Sequence, residues 1–294
     1  MSEIHHITEN SDLYPPLLRE IHHPPVELFI RGNIHLLQHP HLLAVVGSRR
    51  ASTYGKQCVT QLLPPAVLAG AVPVSGLAYG IDSLAHRTAV DLQLPTIAVL
   101  GSGIDDASIY PRINIALAHK IISFGGALIS EYPPGTPAYP YNFPARNRII
   151  SGLCQATIIV QAARRSGSLV TARLALEANR DVAIIPGPIN DPRNAGTNEL
   201  LLHGAIPIIS PEQVADLVGL TLPANNAAPE QISLTATQQK IMDILSDKPL
   251  HLDTITERSQ LPSPTIAAII TELELFDLIQ HAGGQTYLKI KQTT

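Results

Sequence analysis

Leu43-Ala44-Val45-Val46-Gly47-Ser48-Arg49-Arg50, running on through Tyr54-Gly55 into a stretch with helical spacing, is the segment on which the fold turns. Four apolar residues without a polar interruption describe a strand covered on both faces, as in a parallel sheet. A glycine turn leading into a helix then offers backbone N–H groups and the positive end of a helix dipole to an anion. A dinucleotide site would carry G-x-G-x-x-G here, so that a pyrophosphate could approach the backbone closely. Arg49 and Arg50 stand where the later glycines would be, which disfavours a buried dinucleotide and favours an open phosphate held by side chains. The plainer alternative is that Gly47 only turns the chain and Arg49 pairs with a carboxylate.

The same pattern repeats in both directions. Short runs rich in Val, Ile and Ala lie at 71–74, 96–100, 127–129, 156–160, 182–185 and 206–209, and each reads as a strand buried on both faces. Helical spacing fills 55–68, 81–92, 112–122 and 168–179 between them. Strand–helix alternation predicts an α/β, doubly wound and mostly parallel sheet over 43–219, with ligands beyond the carboxyl ends of the strands. Segment 1–42 reads as a short helix, an extended piece at 26–30 and a Gly32-Asn33 turn. Its seven histidines lack metal-ligand spacing and are expected to be solvated. Residues 220–234, small and proline-containing, read as a linker. Beyond it, helices at 235–246, 252–259 and 264–276 precede a hairpin, 278–281 and 286–290, turned at Gly283-Gly284. That is the outline of a small winged-helix-like domain over 235–294.

Composition narrows the class. Of 294 residues, 45% are hydrophobic and 15% charged, enough apolar matter for a large core and too little charge for disorder. No apolar run approaches the ~18 residues of a membrane span. The amino terminus lacks the basic and apolar regions of an export signal, and only Cys58 and Cys154 occur, so a reduced cytoplasmic protein is expected. The net charge of −4 is unevenly spread. Residues 1–42 hold two basic and five acidic side chains, 43–209 thirteen and nine, and 210–294 five and ten. Eleven of the thirteen central cations are arginine, the residue suited to two-point phosphate contacts. Helix capping and carboxylate pairing are the competing use.

Three places carry candidate chemistry. The first is the Gly47–Arg50 turn. In the second, Ser75-Gly76-Leu77-Ala78-Tyr79-Gly80-Ile81-Asp82 with His86, an acid–base pair at i, i+4 is conceivable. No nucleophile-elbow context accompanies it, so a capped helix start with a locally bonded His86 is the better reading. The third is Asn142-Phe143-Pro144-Ala145-Arg146-Asn147-Arg148, followed after the next strand by Arg164-Arg165-Ser166-Gly167-Ser168. Phe143 reads as lying on an exposed loop, with Arg146, Asn147 and Arg148 opening a helix. An aromatic face stacks bases, and arginines beside helix starts grip phosphates. Phe143 as a core plug and Ser168 as a plain cap remain open. No Walker A sequence is present.

In order along the chain stand Val46-Gly47-Ser48-Arg49, Ser75-Gly76-Leu77-Ala78-x-Gly80-Ile81-Asp82, Leu100-Gly101-x-Gly103-Ile104-Asp105, Phe143-Pro144-x-Arg146-Asn147-Arg148-Ile149-Ile150-Ser151-Gly152, Ser166-Gly167-Ser168-Leu169-x-Thr171-Ala172 and Gly196-Thr197-Asn198. In these motifs, which cover nearly all of 43–209, the chain resembles the bacterial DNA-processing protein A (DprA/Smf) family. The resemblance implies an extended Rossmann-type core that binds single-stranded DNA independently of sequence, often as a homodimer. It would protect the strand and promote loading of the recombinase RecA, as in natural transformation. The expected nucleic-acid-binding set is Gly47, Ser48, Arg49, Phe143, Arg146, Asn147, Arg148, Ser166, Gly167, Ser168 and Thr171. Within it, Arg49 would hold phosphate and Phe143 would stack on bases. No catalytic residue, metal, cofactor or membrane contact is expected. The alternative is a nucleotide-binding enzyme of phosphoribohydrolase type, with Glu131, Asp82 and Glu199 as its candidate carboxylates. In the winged-helix-like domain the third helix holds Glu272 and Glu274 and no Lys or Arg, with Asp277 just beyond and Lys289 and Lys291 in the wing. Protein contact or modulation of the core is therefore expected of it, rather than a grip on duplex DNA.

Overall fold

Strand and helix alternate from the first described residues, and the helices cover both faces of the sheet so formed. The computed structural model describes residues 3–222, 234–246, 248–275 and 278–290. Its strands are β1 (Ile4–Thr8), β2 (Glu27–Gly32), β3 (Leu42–Val46), β4 (Val72–Ser75), β5 (Ile97–Val99), β6 (Ala127–Ser130), β7 (Ala156–Ile159), β8 (Asp181–Ile184) and β9 (Ile206–Pro207). The helices that matter below are α1 (Pro16–Arg19), α2 (Thr53–Leu68), α3 (Ile81–Asp91), α4 (Ile115–Ser123), α5 (Asn142–Gly152), α6 (Gly167–Glu177), α7 (Ala195–Leu201) and α8 (Pro211–Asp216).

The described strands form one sheet in the order β1-β2-β6-β5-β4-β3-β7-β8-β9. From β3 the chain steps outward through β4, β5 and β6, and from β7 it steps the other way. The direction therefore reverses between β3 and β7, which pair in parallel from Leu43 opposite Ala156 to Val46 opposite Ile159. β3, β4, β6 and β7 are buried at every position, as their largely apolar sequence requires, and the small polar Ser75, Ser130 and Thr157 are buried with them.

Two sequence expectations need correction. Segment 1–42 contributes two antiparallel strands, β1 on β2 and β2 on β6, and so completes the edge of the sheet. In Ile4-His5-His6-Ile7-Thr8 burial alternates, with Ile7 inside and Ile4, His6 and Thr8 exposed, a half-solvated edge that a search for continuous apolar runs overlooks. At the other edge, 206–209 is only a two-residue strand, and both Ile206 and Pro207 are exposed. An edge strand has no second neighbour to cover it, so its apolar character did not mean burial.

The chain divides into two units, Met1–Pro223 and Ala224–Thr294. In the second, α9 (Ala236–Ile244), β10 (Leu250–His251), α10 (Leu252–Ser259), α11 (Ser263–Leu275), β11 (Ile279–Gly283) and β12 (Thr286–Lys289) make a winged helix around Ile241, Ile255, Ile266 and Leu273. A reciprocal capping box between Thr235 and Gln238 starts α9. Most of the expected linker (223–233), together with Phe276, Asp277 and Lys291, lies outside the described residues.

His86, on α3, lies wholly inside the first unit. The Thr96 hydroxyl donates to the carbonyl of Pro73 (2.7 Å) and must therefore accept from His86 Nδ1 (2.9 Å). The neutral ring carries its proton on Nδ1, and a second proton would go to Nε2, which is buried with no hydrogen-bond partner. Burial first, and the Arg146 charge second, lower the imidazole to about 3. Since the folded value lies below the unfolded ~6.5, the unfolded chain binds more protons between those limits and stability falls as pH falls. Urea unfolding at pH 7 and pH 5 should show His86 contributing about 2 kcal/mol of acid destabilisation. His86→Asn should remove that part of the slope, and identical slopes in the two proteins would contradict the assignment.

Candidate functional site

A groove of about 750 Å³ opens at the carboxyl ends of β3 and β7, where the strand order reverses and where doubly wound sheets receive ligands. Parallel pairing places the two turns side by side. Ser48 N–H donates to the carbonyl of Gln161 (2.7 Å) and Val160 N–H to that of Val46 (3.0 Å). Gly47 is required by close approach, because a Cβ there would stand 2.8 Å from Ile81 Cγ1. The turn is backed by the start of α3, where Ile81 N–H donates to the carbonyl of Ser48 (3.2 Å). Gly80 holds φ at +78°, and any Cβ on it would collide with the Ser48 carbonyl.

Ten of the eleven residues expected from the sequence line this groove: Gly47, Ser48, Arg49, Phe143, Arg146, Asn147, Ser166, Gly167, Ser168 and Thr171. Arg49 and Arg50 are exposed, as is Arg165 on the facing loop, and none of the three has an ion-pair partner among the described residues. The Arg49 guanidinium lies over the Phe143 ring at 5.7 Å from its centroid, a cation–π arrangement. Tyr110 also stands beside Phe143, ring centroids 5.7 Å apart and planes tilted by 49°. Ser166 caps α6, accepting from Ser168 N–H, and the two hydroxyls are 2.7 Å apart. The first turns of α2, α5 and α6 carry no acidic side chain, so their positive ends are not neutralised locally.

Phe143 sits in the first turn of α5 and is half-buried, where the sequence suggested an exposed loop. The helix begins earlier than expected because Asn142 N–H closes a turn on the Tyr139 carbonyl (3.0 Å). Arg146 lies on the same helix but is only 3% exposed. Its guanidinium donates to the carbonyls of Gly76 (2.8 Å) and Val99, and its Nε to Asn147 Oδ1 (3.1 Å). Burial lowers it to about 10, so it remains protonated at neutral pH. It forms part of the groove floor, where an open phosphate grip was expected.

Arg148 is not brought to the groove at all. Facing the other side of α5, it makes a two-point bridge to Glu131 (2.8 and 2.5 Å) and donates to the carbonyls of His23 and Ala145. Bonding to Glu131 raises its pKa further. Of the arginines on α5, one is a floor and one a strut tying the N-terminal segment to the sheet.

The candidate carboxylates are likewise separated. Glu131 is held by Arg148, and Glu199 pairs loosely with Arg164 at the surface (3.5 Å). Asp82 reaches the groove floor, yet it accepts from Gly76 N–H (3.1 Å), and burial pushes its pKa up against the pull of Arg146. Among the described residues no three His, Cys, Asp or Glu side chains cluster as metal ligands, and no helix is long and apolar enough to cross a membrane.

Sequence reasoning missed Tyr110 as a groove residue and Gln161 as its scaffold. Gln161, fully buried, accepts from Ser52 N–H (2.9 Å) and donates to Ser52 Oγ (2.8 Å) and Asn194 Oδ1 (2.9 Å), joining three loops. A single glutamine after a strand gives no signal of that role. Tyr110-Pro111, standing after a glycine-rich strand end, could have suggested the other.

The class this geometry defines is a doubly wound α/β protein whose switch-point crevice, edged by free guanidinium groups and helix amino termini, is receptive to anions. Residues 5–219 match the family model for DNA recombination-mediator protein A, and residues 225–285 match the DprA winged helix domain. The chain belongs to the DNA recombination-mediator protein A (DprA/Smf) family. It is 39% identical over 295 residues to Protein Smf of Escherichia coli K12, spanning 98% of this chain and 78% of that protein. The crystal structure of DNA processing protein A from Streptococcus pneumoniae superposes with a TM-score of 0.68 at 40% identity, covering 73% of this chain and 74% of that one. DNA processing protein A from Helicobacter pylori, studied for its single-stranded DNA binding mode, gives 0.63 at 33% identity, covering 74% and 97%.

The Arg148–Glu131 bridge is well shielded, with side chains 20% and 16% exposed. Removing one partner strands the other's charge. Arg148→Ala should cost about 2–3 kcal/mol in urea unfolding. The double variant Arg148→Ala/Glu131→Ala should cost clearly less than the sum of the two single changes. Strict additivity would show that the bridge contributes no coupling.

Proposed function

We propose that this chain binds single-stranded DNA in the switch-point groove without regard to sequence. It would do so in the cytoplasm, protecting the strand and promoting its loading with the recombinase RecA. The observation that carries the reading is the Arg49–Phe143 pair, a free guanidinium and an aromatic ring presented together at the groove wall. Phosphate contact and ring stacking read no base edges, so such a site takes any unpaired sequence. A duplex would present its bases already stacked, leaving the ring nothing to receive. The binding mode studied for the Helicobacter pylori relative supports the choice of ligand, and the family's description as a recombination mediator supports transfer to a recombinase. The carboxylates an enzyme would need are engaged separately, Glu131 by Arg148, Asp82 by Gly76 and Glu199 by Arg164, which favours binding over turnover.

Two further parts of the proposal concern partners. A homodimer is supported by the open edge of the sheet at β9, where Leu202, Ile206 and Ile209 are exposed beside a strand edge that has no partner among the described residues. Sedimentation of an Ile206→Lys/Ile209→Lys variant should show a monomer, and an unchanged dimer would place the contact elsewhere. The winged-helix unit is proposed to contact protein, since Glu272 and Glu274 on α11 would repel a phosphate backbone.

Fluorescence anisotropy of a labelled single strand of about 20 nucleotides at two salt concentrations tests the main reading. Arg49→Ala should weaken binding to every sequence and reduce the salt slope by about 0.7. Phe143→Ala should cost about 1–3 kcal/mol with the slope unchanged. If Arg49→Ala left affinity and slope at wild-type values, the turn after β3 would not be the phosphate site. Tight mononucleotide binding with turnover would instead favour the enzyme.

A further inference from the structure

Chemistry is divided across the crevice. Among the described residues the exposed tyrosines are Tyr79, Tyr110, Tyr139 and Tyr141, and all lie on the loops that follow β4, β5 and β6. The exposed groove arginines, Arg49, Arg50 and Arg165, lie on the loops that follow β3 and β7. One side of the crevice is aromatic and the other basic. A single strand has the same two-sided character, bases along one edge and phosphates along the other.

The outermost aromatic feature is a pair. Tyr139 and Tyr141 stand on the loop after β6 with ring centroids 5.4 Å apart and planes within 5° of parallel. They are 43% and 70% exposed. Ala138 and Pro140, which alternate with them, form groove wall, so the ring pair occupies the rim of the same short segment. Tyr141 immediately precedes α5 and is two residues from Phe143. Parallel stacking uses one face of each ring against the other and leaves the outer faces free to continue the stack. Leaving that much flat apolar surface in water is unfavourable unless something covers it. The occupant nearest at hand, with flat faces and a tether in the adjoining groove, is a nucleobase.

We infer that the Tyr139–Tyr141 pair is a second base-stacking station, receiving a nucleobase of the same DNA strand after it passes Phe143 and crosses the groove rim. This rests on the groove being the single-strand site. A protein partner on the same rings is the competing occupant and is decided by the same test.

The experiment uses the full chain and oligothymidylates from about 4 to about 16 nucleotides. In the wild type, affinity should climb with length beyond what the groove alone accommodates. Tyr139→Ala/Tyr141→Ala should match the wild type on the shortest strands and fall behind by roughly 5- to 100-fold on the longest, with an unchanged salt slope. Tyr139→Phe/Tyr141→Phe, which keeps the rings, should restore wild-type behaviour. Photocrosslinking of wild-type protein to an iododeoxyuridine-substituted strand should place adducts on Tyr139 or Tyr141, a readout independent of any variant's folding. Equal affinity of the alanine variant and wild type at every length, while Arg49→Ala still loses binding, would overturn the station and leave the groove assignment standing. Wild-type protein that bound no single strand would overturn both.

Discussion

The guanidinium of Arg146 is out of solvent beneath the groove, where it accepts the task of satisfying the carbonyls of Gly76 and Val99. Those groups lie where β4 and β5 end, and parallel strands leave such carbonyls without partners once the ladder stops. One guanidinium nitrogen serves both strand ends while Nε bonds Asn147 on the same helix, so a single side chain ties α5 to two strands. The arrangement also fixes Gly76, since any Cβ there would overlap the guanidinium. Through Arg146, α5 is seated across the strand ends, and Phe143, one turn earlier on that helix, is aimed at the groove. The position of the ring thus depends on a cation that never meets solvent.

That division of labour among arginines decides what the groove can do. Arg146 uses its Nη1 and Nε on the carbonyls of Gly76 and Val99 and on Asn147, and Arg148 is tied to Glu131, so neither is a freely movable phosphate fork. Arg49, Arg50 and Arg165 remain in solvent on turns whose backbones are held from behind by Gln161, Ser52 and Gly80. Their mobility belongs to the side chains, and the turns themselves are braced. A site that grips a repeating phosphate at variable positions benefits from that combination, because the anchor is fixed while the fork adjusts.

Most of the sheet was legible because parallel strands buried on both faces write themselves as unbroken apolar runs. Runs at 43–46, 127–129 and 156–160 correspond to β3, β6 and β7 within a residue or so. The edges were not legible by that rule. β1 is interrupted by polar residues because one face meets water, and β9 is apolar yet exposed because it is flanked on one side only. In the site, Gly47–Arg49 and Ser166–Ser168 were each legible as turns at strand ends, and the family resemblance joined them, with Thr171, into one expected site. Helical phase decided the rest. Arg146 and Arg148 differ by two residues, about 200° around a helix, so one had to point away from whatever the other faced. Sequence proximity had grouped them, and the geometry of α5 separates them. Gln161 and Tyr110 act through loops that meet only in the folded chain.

A chain of net charge −4 is not an obvious host for a polyanion, and the resolution lies in distance. At physiological ionic strength a charge is largely screened beyond about 8 Å, so a phosphate in the groove responds to its immediate surroundings. There it meets three guanidinium groups without an ion-pair partner among the described residues and the first turns of α5 and α6, which hold no acidic residue, with Asp82 as the one carboxylate on the floor. Burial favours the neutral form of that carboxyl, and the charged Arg146 beside it offsets what negative charge persists. The local sign is therefore positive although the global sign is negative.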